Sequence, residues 1–539
     1  MRATSALQAA PASRPAAPLA AAVSATRLLV ASLSVALAGC AGLPVPADRS
    51  ESHAIADVAD TSLARAATAS RPEDARDLSG FRLLPDGDDA LEARITLIRR
   101  AEKSVDVQYY LIANDRTGRQ FLGELSAAAA RGVRVRLLVD DLNAIRQDAL
   151  FAALAGQPGF QVRLFNPLPV RGGGFASRVA FSAHEFARIN HRMHNKLLIA
   201  DGSFAVSGGR NIANEYFDRG GSAHFIDMDL LSCGPVVAAL SSLFDEFWNS
   251  PHAYPAESLM RARQRDHAAR GESPAPAPAV PDSADDVAPF EPGSLADELG
   301  AGRVALRFAP ARVVADRPAQ IADNDRARPD GPVMRAHLEL LGSAQSSVLV
   351  ATPYFVPGRS ALETLRDARA KDISFTVLTN SLATTDEPLV HFGYARYRMG
   401  LLKLGVALHE LMPTLDAPAD GDASSERHGA SLSRLHAKLV VVDDRWVSIG
   451  SMNMDRRSAR SNTESTIVID DAEIAGDVAA FLDHGRVTSS YALRLGAGGK
   501  RVEWVGREAG GVLRAEPPRA GGSGLKPRLA SFFVSEELL

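Results

Sequence analysis

Apolar and polar positions along the chain follow helical and strand periods in a repeated order. Leu91, Ile95 and Ile98 fall on one helical stripe, and the residues after Gly132 alternate Val and Leu with Arg as a strand does. The elements predicted in this part are a helix over residues 89–101, a strand over 104–111, a helix over 118–130 and a strand over 133–139. Strand, helix and strand in succession predict a right-handed parallel crossover.

The same succession returns in the second half of the chain. It comprises a helix over residues 332–341, a strand over 347–355, a helix over 360–370 and a strand over 373–379. We therefore predict an α/β fold with two similar lobes, each a mixed, mostly parallel sheet flanked by helices. The chemistry below places one active site at the interface between the lobes.

Composition agrees with a folded, multi-domain protein. The chain has 539 residues, of which 46% are hydrophobic and 23% charged, and this length exceeds what one core usually supports. Sixty Lys and Arg against 64 Asp and Glu leave a formal net charge of −4, without the basic excess of non-specific nucleic-acid binders. No nucleic-acid partner is expected.

The N-terminus carries a predicted export signal. The apolar run Leu28–Leu37 is too short for a stable transmembrane helix, and it ends in Leu37-Ala38-Gly39-Cys40, which resembles a bacterial lipobox. Residues 1–40 are thus predicted to be a lipoprotein signal peptide, with Cys40 as the lipidated residue. The alternatives are a non-lipidated signal and an uncleaved anchor. We expect a periplasm-facing lipoprotein of a Gram-negative-type bacterium, at the outer or the inner membrane.

Polar and proline-rich stretches divide the rest of the chain. The polar residues 41–78 suit a flexible tether, and the Pro/Ala-rich part of residues 251–300 suits a connector. The remaining predicted segments are a first lobe at 79–250, a second lobe at 301–500 and a C-terminal segment at 501–539, which either packs on the core or lies on a membrane. Cys233 is expected in the core.

One motif occurs twice, and it carries the chemistry. In the first copy His194, Lys196 and Asn211 stand at fixed intervals, and in the second copy His436, Lys438 and Asn453 stand at the same intervals. The apolar runs that follow each lysine are typical of buried parallel strands, on which residues i and i+2 share a face. His and Lys of each copy are therefore predicted to point the same way.

Two such sets suit a phosphodiester. Lysine neutralises phosphoryl charge, asparagine donates a hydrogen bond, and one imidazole attacks phosphorus while the other transfers protons. The alternatives are a core histidine that happens to precede a surface lysine and a metal site built from His191 and His194. Identical spacing in two repeats argues against the first, and protonated lysines cannot be ligands. No metal and no other cofactor is expected.

Asp201 and Asp443 end the two motifs. Each lies seven positions after its histidine, an odd offset that places it on the opposite strand face. We assign both aspartates a structural salt bridge or hydrogen bond and no part in the chemistry.

These motifs make the resemblance specific. The chain resembles the phospholipase D superfamily, and within it the cardiolipin synthase C-type branch. The matching segments, which extend the likeness from about Phe81 to Leu539, are Val107–Tyr110, Arg192–Lys196, Gly208–Ile212, Glu215–Phe217, Leu378–Ala383, Gly393–Tyr397, Gly450–Asp455 and Asn462–Glu464.

The resemblance implies roles for particular residues. His194 corresponds to the usual nucleophile and His436 to the general acid and base. The family also places an acidic residue on a later strand behind each histidine, for which Glu464 and Asp229 are the candidates. Asp227 fits less well, because Asp229, like Glu464, directly precedes an apolar strand.

Further side chains are expected to contact substrate. Ser451 matches the family's phosphate-contacting serine, whereas the first copy has Gly209 at that position. Tyr109, Tyr110 and Tyr354 end matching strands and would face the cleft if the site lies at the strands' carboxyl ends, with core packing as the alternative.

The favoured function is phosphatidyl transfer between phospholipids that gives cardiolipin. Phosphatidylglycerol is the expected substrate, phosphatidylethanolamine a second candidate, and the membrane surface and a small accessory protein are candidate partners. Hydrolysis through the same intermediate and a non-catalytic lipid-binding scaffold are the competing functions. Both complete His/Lys/Asn sets argue against the scaffold.

Overall fold

A computed structural model describes the chain from residue 49 onward, with gaps. The described ranges are 49–144, 147–170, 185–220, 223–260, 294–322, 330–413, 415–416, 431–506, 512–513 and 516–517. One compact unit comprises residues 44–167 and 185–539 and holds every element given below. The other comprises residues 1–43 and 168–184, of which only 168–170 are described.

Helices flank the sheets of this unit. Those of the first half are α1 Ser62–Ser70, α2 Gly87–Arg100, α3 Arg116–Ala130, α4 Asp148–Ala155, α5 Phe186–Ile189 and α6 Pro235–Trp248. Those that follow are α7 Ser294–Gly300, α8 Pro332–Gly342, α9 Gly358–Ala370, α10 Pro388–Ala395, α11 Arg398–Lys403, α12 Arg456–Arg460 and α13 Ala472–Ser489.

The first sheet has nine strands in the order β10-β4-β3-β2-β6-β7-β9-β1-β11. Its strands are β1 Ser79–Leu84, β2 Ser104–Tyr109, β3 Arg134–Asp140, β4 Phe160–Phe165, β6 Leu197–Ala200, β7 Phe204–Gly208, β9 Asp229–Cys233, β10 Ala253–Pro255 and β11 Arg307–Ala309.

The second sheet has ten strands in the order β12-β21-β19-β18-β13-β14-β15-β22-β23-β24. Its strands are β12 Ala311–Ala315, β13 Ser347–Ala351, β14 Ser374–Asn380, β15 Ala407–Leu411, β18 Leu439–Val442, β19 Trp446–Gly450, β21 Ser465–Asp470, β22 Ser490–Leu495, β23 Val502–Val505 and β24 Val512–Leu513.

The two sheets share a common core of six strands. The order β4-β3-β2-β6-β7-β9 in the first corresponds to β15-β14-β13-β18-β19-β21 in the second. This equivalence confirms the predicted two-lobed α/β repeat. Apolar side chains of both sheets, including Ile199, Leu230, Val441 and Ile467, join those of α6 and α13 in one continuous hydrophobic core.

The prediction of mostly parallel sheets was wrong. Parallel pairing is limited to β2-β3-β4 and β13-β14-β15, whereas the other neighbours in both sheets pair antiparallel. The apolar strand after each His-x-Lys is antiparallel to both its neighbours, and a short turn joins it to the next strand as a hairpin. Within these two sheets, the neighbours that pair parallel are those joined through helices.

Asp201 and Asp443 begin these hairpin turns, with φ of 47° and 55°. The carboxylate of Asp201 accepts hydrogen bonds from the amides of Glu102, Lys103 and Ser104 at 2.8–2.9 Å. Asp443 binds the equivalent amides in the second lobe, including those of Ser346 and Ser347. Each aspartate thus fastens its hairpin to the start of β2 or β13, which is the structural role predicted for it.

The predicted flexible tether over residues 41–78 was wrong for its described part. Helix α1 lies in it, capped by Thr61 and packed through Leu63, which is 1% exposed. Preceding residues bind the first lobe, since Arg136 donates to the carbonyl of Ser52 at 2.7 Å. The described part of the segment is therefore held on the first lobe.

The predicted lobe boundaries also shift, because strands outside them pair with the two sheets. Strand β10 and, beyond the undescribed residues 261–293, strand β11 both extend the first sheet, although they lie in the predicted connector and the predicted second lobe. Strand β23, in the predicted C-terminal segment, extends the second sheet. Cys233 is buried in β9, as expected.

Candidate active site

His194 lies between two short strands, β5 (Arg192–Met193) and β6, rather than on a strand as predicted. Its backbone amide donates to the carbonyl of Thr463 at 2.9 Å, where β5 pairs with β20 (Asn462–Thr463) of the other lobe. Its ring Nδ1 lies 2.9 Å from Oε2 of Glu464 and 3.1 Å from the carbonyl of Ser451. Because both partners occupy Nδ1, the reactive nitrogen is Nε2.

His436 has the same surroundings with the lobes exchanged. It follows β17 (Ser431–Leu435), which pairs with β8 (Ala223–Ile226) of the first lobe, and its amide donates to the carbonyl of Ile226 at 2.8 Å. Its ring Nδ1 lies 2.6 Å from Oδ2 of Asp227. Each histidine is therefore oriented by a carboxylate from the opposite lobe.

The choice of Asp229 as the orienting acid was wrong, and the residue in that position is Asp227. Strand register explains why: Gly208 pairs with Asp229 in the first sheet, whereas Gly450 pairs with Thr466 in the second. Asp229 is thus equivalent to Thr466, and Asp227 to Glu464. Each orienting acid stands two positions before the residue that pairs with the glycine, Asp229 in the first sheet and Thr466 in the second. This relation appears only once the strands are aligned.

Asp229 has a structural position instead. It is fully buried, and its carboxylate accepts from Arg94 at 2.8 Å and from the side chain and amide of Arg210. The same guanidinium of Arg94 donates to the hydroxyl of Tyr109 at 2.9 Å. This buried network supports β9, the strand that directly follows Asp227.

The two lysines lie buried beside their histidines. Nζ of Lys196 donates to the carbonyl of His194 at 2.6 Å, and Nζ of Lys438 lies 2.9 Å from Nδ1 of His436. Burial lowers the pKa of Lys196 to about 7 and that of Lys438 to about 8, against the pull of the two orienting carboxylates. Lys438 also acts electrostatically on His194 and Lys196, and Lys196 acts on Glu464, so the two motifs lie near each other.

The two histidine–acid pairs differ in charge. Burial raises the pKa of Glu464 to about 7, although Lys196 and a hydrogen bond from Ser451 oppose the rise. Burial also acts to raise the pKa of Asp227, but the hydrogen bond to His436 and the charge of Lys438 lower it to about 2. Burial and Lys438 lower the pKa of His436 to about 4, and burial and Lys196 lower that of His194 well below its ordinary value.

The asparagines complete both sets. Nδ2 of Asn211 donates to the hydroxyl of Tyr216 at 3.0 Å. Within the described part of the chain, Oδ1 of Asn211 and Oδ1 of Asn453 are buried without a hydrogen-bond partner. Buried amide oxygens rarely stay unpaired, so these two acceptors are available to a hydrogen-bond donor of a bound substrate.

Ser451 and Gly209 differ for a steric reason. The hydroxyl of Ser451 donates to Oε2 of Glu464 at 2.5 Å and thereby supports the acid that orients His194. A side chain at Gly209 would overlap the carboxylate of Asp227. The first lobe therefore has glycine where the second has serine, and a direct substrate contact for either residue stays a prediction.

Aromatic rings line both histidines. Tyr110 stands edge-on to His194 at 5.0 Å between ring centres, and Tyr216 stands edge-on to His436 at the same distance. Tyr109, predicted to contact substrate, is instead buried with its hydroxyl on Arg94. Its neighbour Tyr110 faces the site, because side chains alternate along β2.

Three other predicted residues have different outcomes. Tyr354 donates its hydroxyl to Oδ2 of Asp386 at 2.8 Å, and the charge of Asp386 acts on His436. His191, considered as a metal ligand, binds the carbonyl of Ser461 through Nδ1 at 2.8 Å. Cys40 lies outside the described residues.

Fold and site together define a class: a two-lobed enzyme to which each lobe contributes one His/Lys/Asn set. Known proteins agree with it. Residues 95–248 and 337–484 both match the family described as cardiolipin synthase, PLD-like domain. The chain therefore belongs to the cardiolipin synthase family of the phospholipase D superfamily, whose enzymes are phosphatidyltransferases and phosphodiesterases.

Individual relatives cover most of the chain. Cardiolipin synthase C of Escherichia coli is 35% identical over 458 residues, which are 84% of this chain and 94% of that protein. A cardiolipin synthase of Staphylococcus aureus is 25% identical over 431 residues, 79% of this chain and 70% of that protein. The fold resembles the crystal structure of phosphatidylserine synthase from Haemophilus influenzae, with a TM-score of 0.51 at 14% identity, over 78% of this chain and 91% of that one.

Proposed function

We propose that this chain transfers a phosphatidyl group from one phosphatidylglycerol to another and so forms cardiolipin. The observation that carries the proposal is the crossed pairing of His194 with Glu464 and of His436 with Asp227. It leaves both Nε2 atoms for reaction, between two buried lysines. The relative from Escherichia coli is named cardiolipin synthase C, which supports cardiolipin as the product.

Binding begins with the phosphate. Burial disfavours the protonated form of Lys196 and Lys438, and a bound phosphate anion favours it again. The attraction between the lysines and the phosphate is strong because water is excluded from the site. The side chains of Asn211 and Asn453 are also buried, and their Nδ2 groups donate hydrogen bonds to the phosphoryl oxygens. The phosphorus is then held between the two Nε2 atoms.

The first step forms a phosphohistidine. The lone pair of His194 Nε2 attacks phosphorus, and a P–N bond forms as the P–O bond to the headgroup glycerol breaks. The bound phosphate anion favours the protonated form of His436, whose Nε2 proton passes to the departing alkoxide, and free glycerol leaves.

The second step reverses the first with a new alcohol. His436 Nε2 takes the proton from a headgroup hydroxyl of a second phosphatidylglycerol, whose oxygen attacks phosphorus. The P–N bond breaks, cardiolipin forms and His194 is free again. Water in place of this alcohol would give phosphatidic acid instead.

The unequal acids support this division of roles. An ionised Asp227, with its pKa of about 2, stabilises the imidazolium that His436 becomes when it holds the transferred proton. Burial and the charge of Lys196 hold the pKa of His194 well below its ordinary value and so keep it neutral, and only a neutral imidazole has the lone pair that attacks phosphorus.

The place of action belongs to the same proposal. The lipobox-like Leu37–Cys40 supports a periplasm-facing lipoprotein held by Cys40, with residues 1–40 removed or modified during export. Among the described residues, no helix is long and apolar enough to cross a membrane. Incorporation of labelled palmitate that is lost in Cys40→Ser tests the anchor.

The activity test uses the full chain in vesicles of phosphatidylglycerol and phosphatidylethanolamine, with lipids analysed by mass spectrometry. Cardiolipin from the wild type, lost in His194→Ala and in His436→Ala but kept in His484→Ala, supports the proposal, because His484 is exposed on α13. Phosphatidic acid alone would identify a hydrolase. Activity only after addition of a membrane extract would point to an accessory protein.

A further inference from the structure

One polar loop is built beside His436 without belonging to either motif. It spans residues 381–387 and leaves the carboxyl end of β14 after Asn380. The side chain of Asn380 donates to the carbonyl of Leu435 at 2.8 Å and accepts from the amide of Leu435 at 2.9 Å. Leu435 directly precedes His436, so this pair of hydrogen bonds fixes the loop next to the histidine.

The loop satisfies its own polar groups. The amide of Ser381 donates to the hydroxyl of Thr384 at 3.0 Å, and the amide of Thr385 donates to the carbonyl of Ser381 at 3.0 Å. All three side chains are buried. Pro388 then starts α10. The position of Asp386 is therefore set by a rigid turn.

Asp386 is only half satisfied. Its Oδ2 accepts the hydroxyl of Tyr354 at 2.8 Å, whereas its Oδ1 is buried and has no hydrogen-bond partner in the described part of the chain. Leaving a buried carboxylate oxygen unpaired costs free energy. A donor from a bound molecule would remove that cost.

The surroundings indicate which molecule this is. The charge of Asp386 acts on His436 and Lys438, whereas Arg457 acts on His194. Asp386 therefore lies on the side of the acid–base histidine, where the alcohol leaves and enters. A carboxylate there attracts hydrogen-bond donors of the headgroup and repels its phosphate.

We infer that Asp386, held by Tyr354, forms a headgroup subsite whose free Oδ1 accepts a hydrogen bond from a hydroxyl of the glycerol. The inference rests on the proposed function and adds its selectivity. The phosphatidylglycerol headgroup has two free hydroxyls, so one attacks phosphorus through His436 while its neighbour binds Asp386. Water lacks this second group, and the subsite therefore favours transfer over hydrolysis.

The test measures acceptor choice. The full chain and Asp386→Asn receive phosphatidylglycerol vesicles with deuterated glycerol or deuterated 1,3-propanediol, which lacks the middle hydroxyl. Labelled lipid is then quantified by mass spectrometry. We expect the wild type to prefer glycerol, and Asp386→Asn to lose about tenfold or more of that preference while its share of phosphatidic acid rises.

Two variants serve as references. Tyr354→Phe keeps the carboxylate but removes the group that holds it, so it should shift the preference in the same direction by a smaller factor. Asp444→Asn removes an exposed carboxylate of the same lobe and should behave as wild type. Loss of all lipid products in His194→Ala but not in Asp386→Asn separates the reaction itself from the subsite.

Several results would overturn the inference. Equal loss of every product in Asp386→Asn, with a displaced pH profile, would mean that Asp386 acts only through the charge of His436. An unchanged glycerol preference would exclude the hydroxyl contact. A change confined to phosphatidylethanolamine vesicles would assign the subsite to an ammonium group instead.

Discussion

Asp227 of the first lobe lies 2.6 Å from the imidazole of His436 in the second, and Glu464 of the second lies 2.9 Å from the imidazole of His194 in the first. Neither lobe alone therefore contains a complete catalytic pair. The parallel strand pairs β5-β20 and β8-β17 bring each histidine to its acid. Formation of the interface and assembly of the site are thus the same structural event.

Asp227→Asn and Asp229→Asn should fail in different ways, although the residues are two positions apart. Asp227→Asn removes the acceptor that holds the proton on His436 Nδ1, so kcat should fall about 100-fold or more, with a smaller loss of stability than that of Asp229→Asn. Asp229→Asn leaves Arg94 and Arg210 without their buried countercharge and should cost about 3–5 kcal/mol of unfolding free energy. Steady-state kinetics and urea unfolding of both variants separate these effects. The reverse pattern would restore Asp229 as the orienting acid.

Gly209→Ala should abolish activity, because the new side chain would displace the carboxylate of Asp227. The added methyl group would overlap the carboxylate of Asp227 and push it away from His436. Gly476→Ala, in α13, meets no atom within 4 Å and serves as the matched control. Cardiolipin formation by both variants is the measurement, and wild-type activity in Gly209→Ala would show that Asp227 can move without consequence.

Leu63→Ala should destabilise the protein. Leu63 is 1% exposed in α1, and truncation of a buried leucine costs about 2–5 kcal/mol. Leu513→Ala, at a leucine that is 42% exposed, should change the unfolding midpoint little. Thermal unfolding of the two variants checks this. Identical midpoints would return residues 49–78 to the role of a flexible tether.

Glu464 should make stability fall as pH rises from about 4.5 to 7. Burial raises its pKa to about 7, so the unfolded chain releases this proton over that range while the folded chain retains it. Because the unfolded state then binds fewer protons, rising pH favours unfolding, by up to about 3 kcal/mol for this group.

The comparison of unfolding free energies at pH 5 and pH 7 gives the contribution of this group. Glu464→Gln cannot titrate there and should lose less stability between the two pH values than the wild type. Glu73→Gln, at an exposed position, should follow the wild type. A pH difference in Glu464→Gln as large as in the wild type would show that other groups cause it.

The repeated α/β units and both His/Lys/Asn sets were evident from the amino-acid sequence. Helix α2 and strand β2 follow from apolar periods within about a dozen residues, and identical spacing identified the two motifs without any distance. The roles of Asp201 and Asp443 also followed, because alternation along a short strand is a local property.

Only the tertiary structure decided which residues meet. The direction of β6, the burial of α1 and the choice of Asp227 over Asp229 depend on strand register and on contacts between residues far apart in the chain. A shift of one residue turns every side chain of a strand to its other face, and such register is set by packing across the whole sheet. The local pattern thus determined the parts and the chemistry, whereas the interface between the lobes determined the pairing of each histidine with its acid.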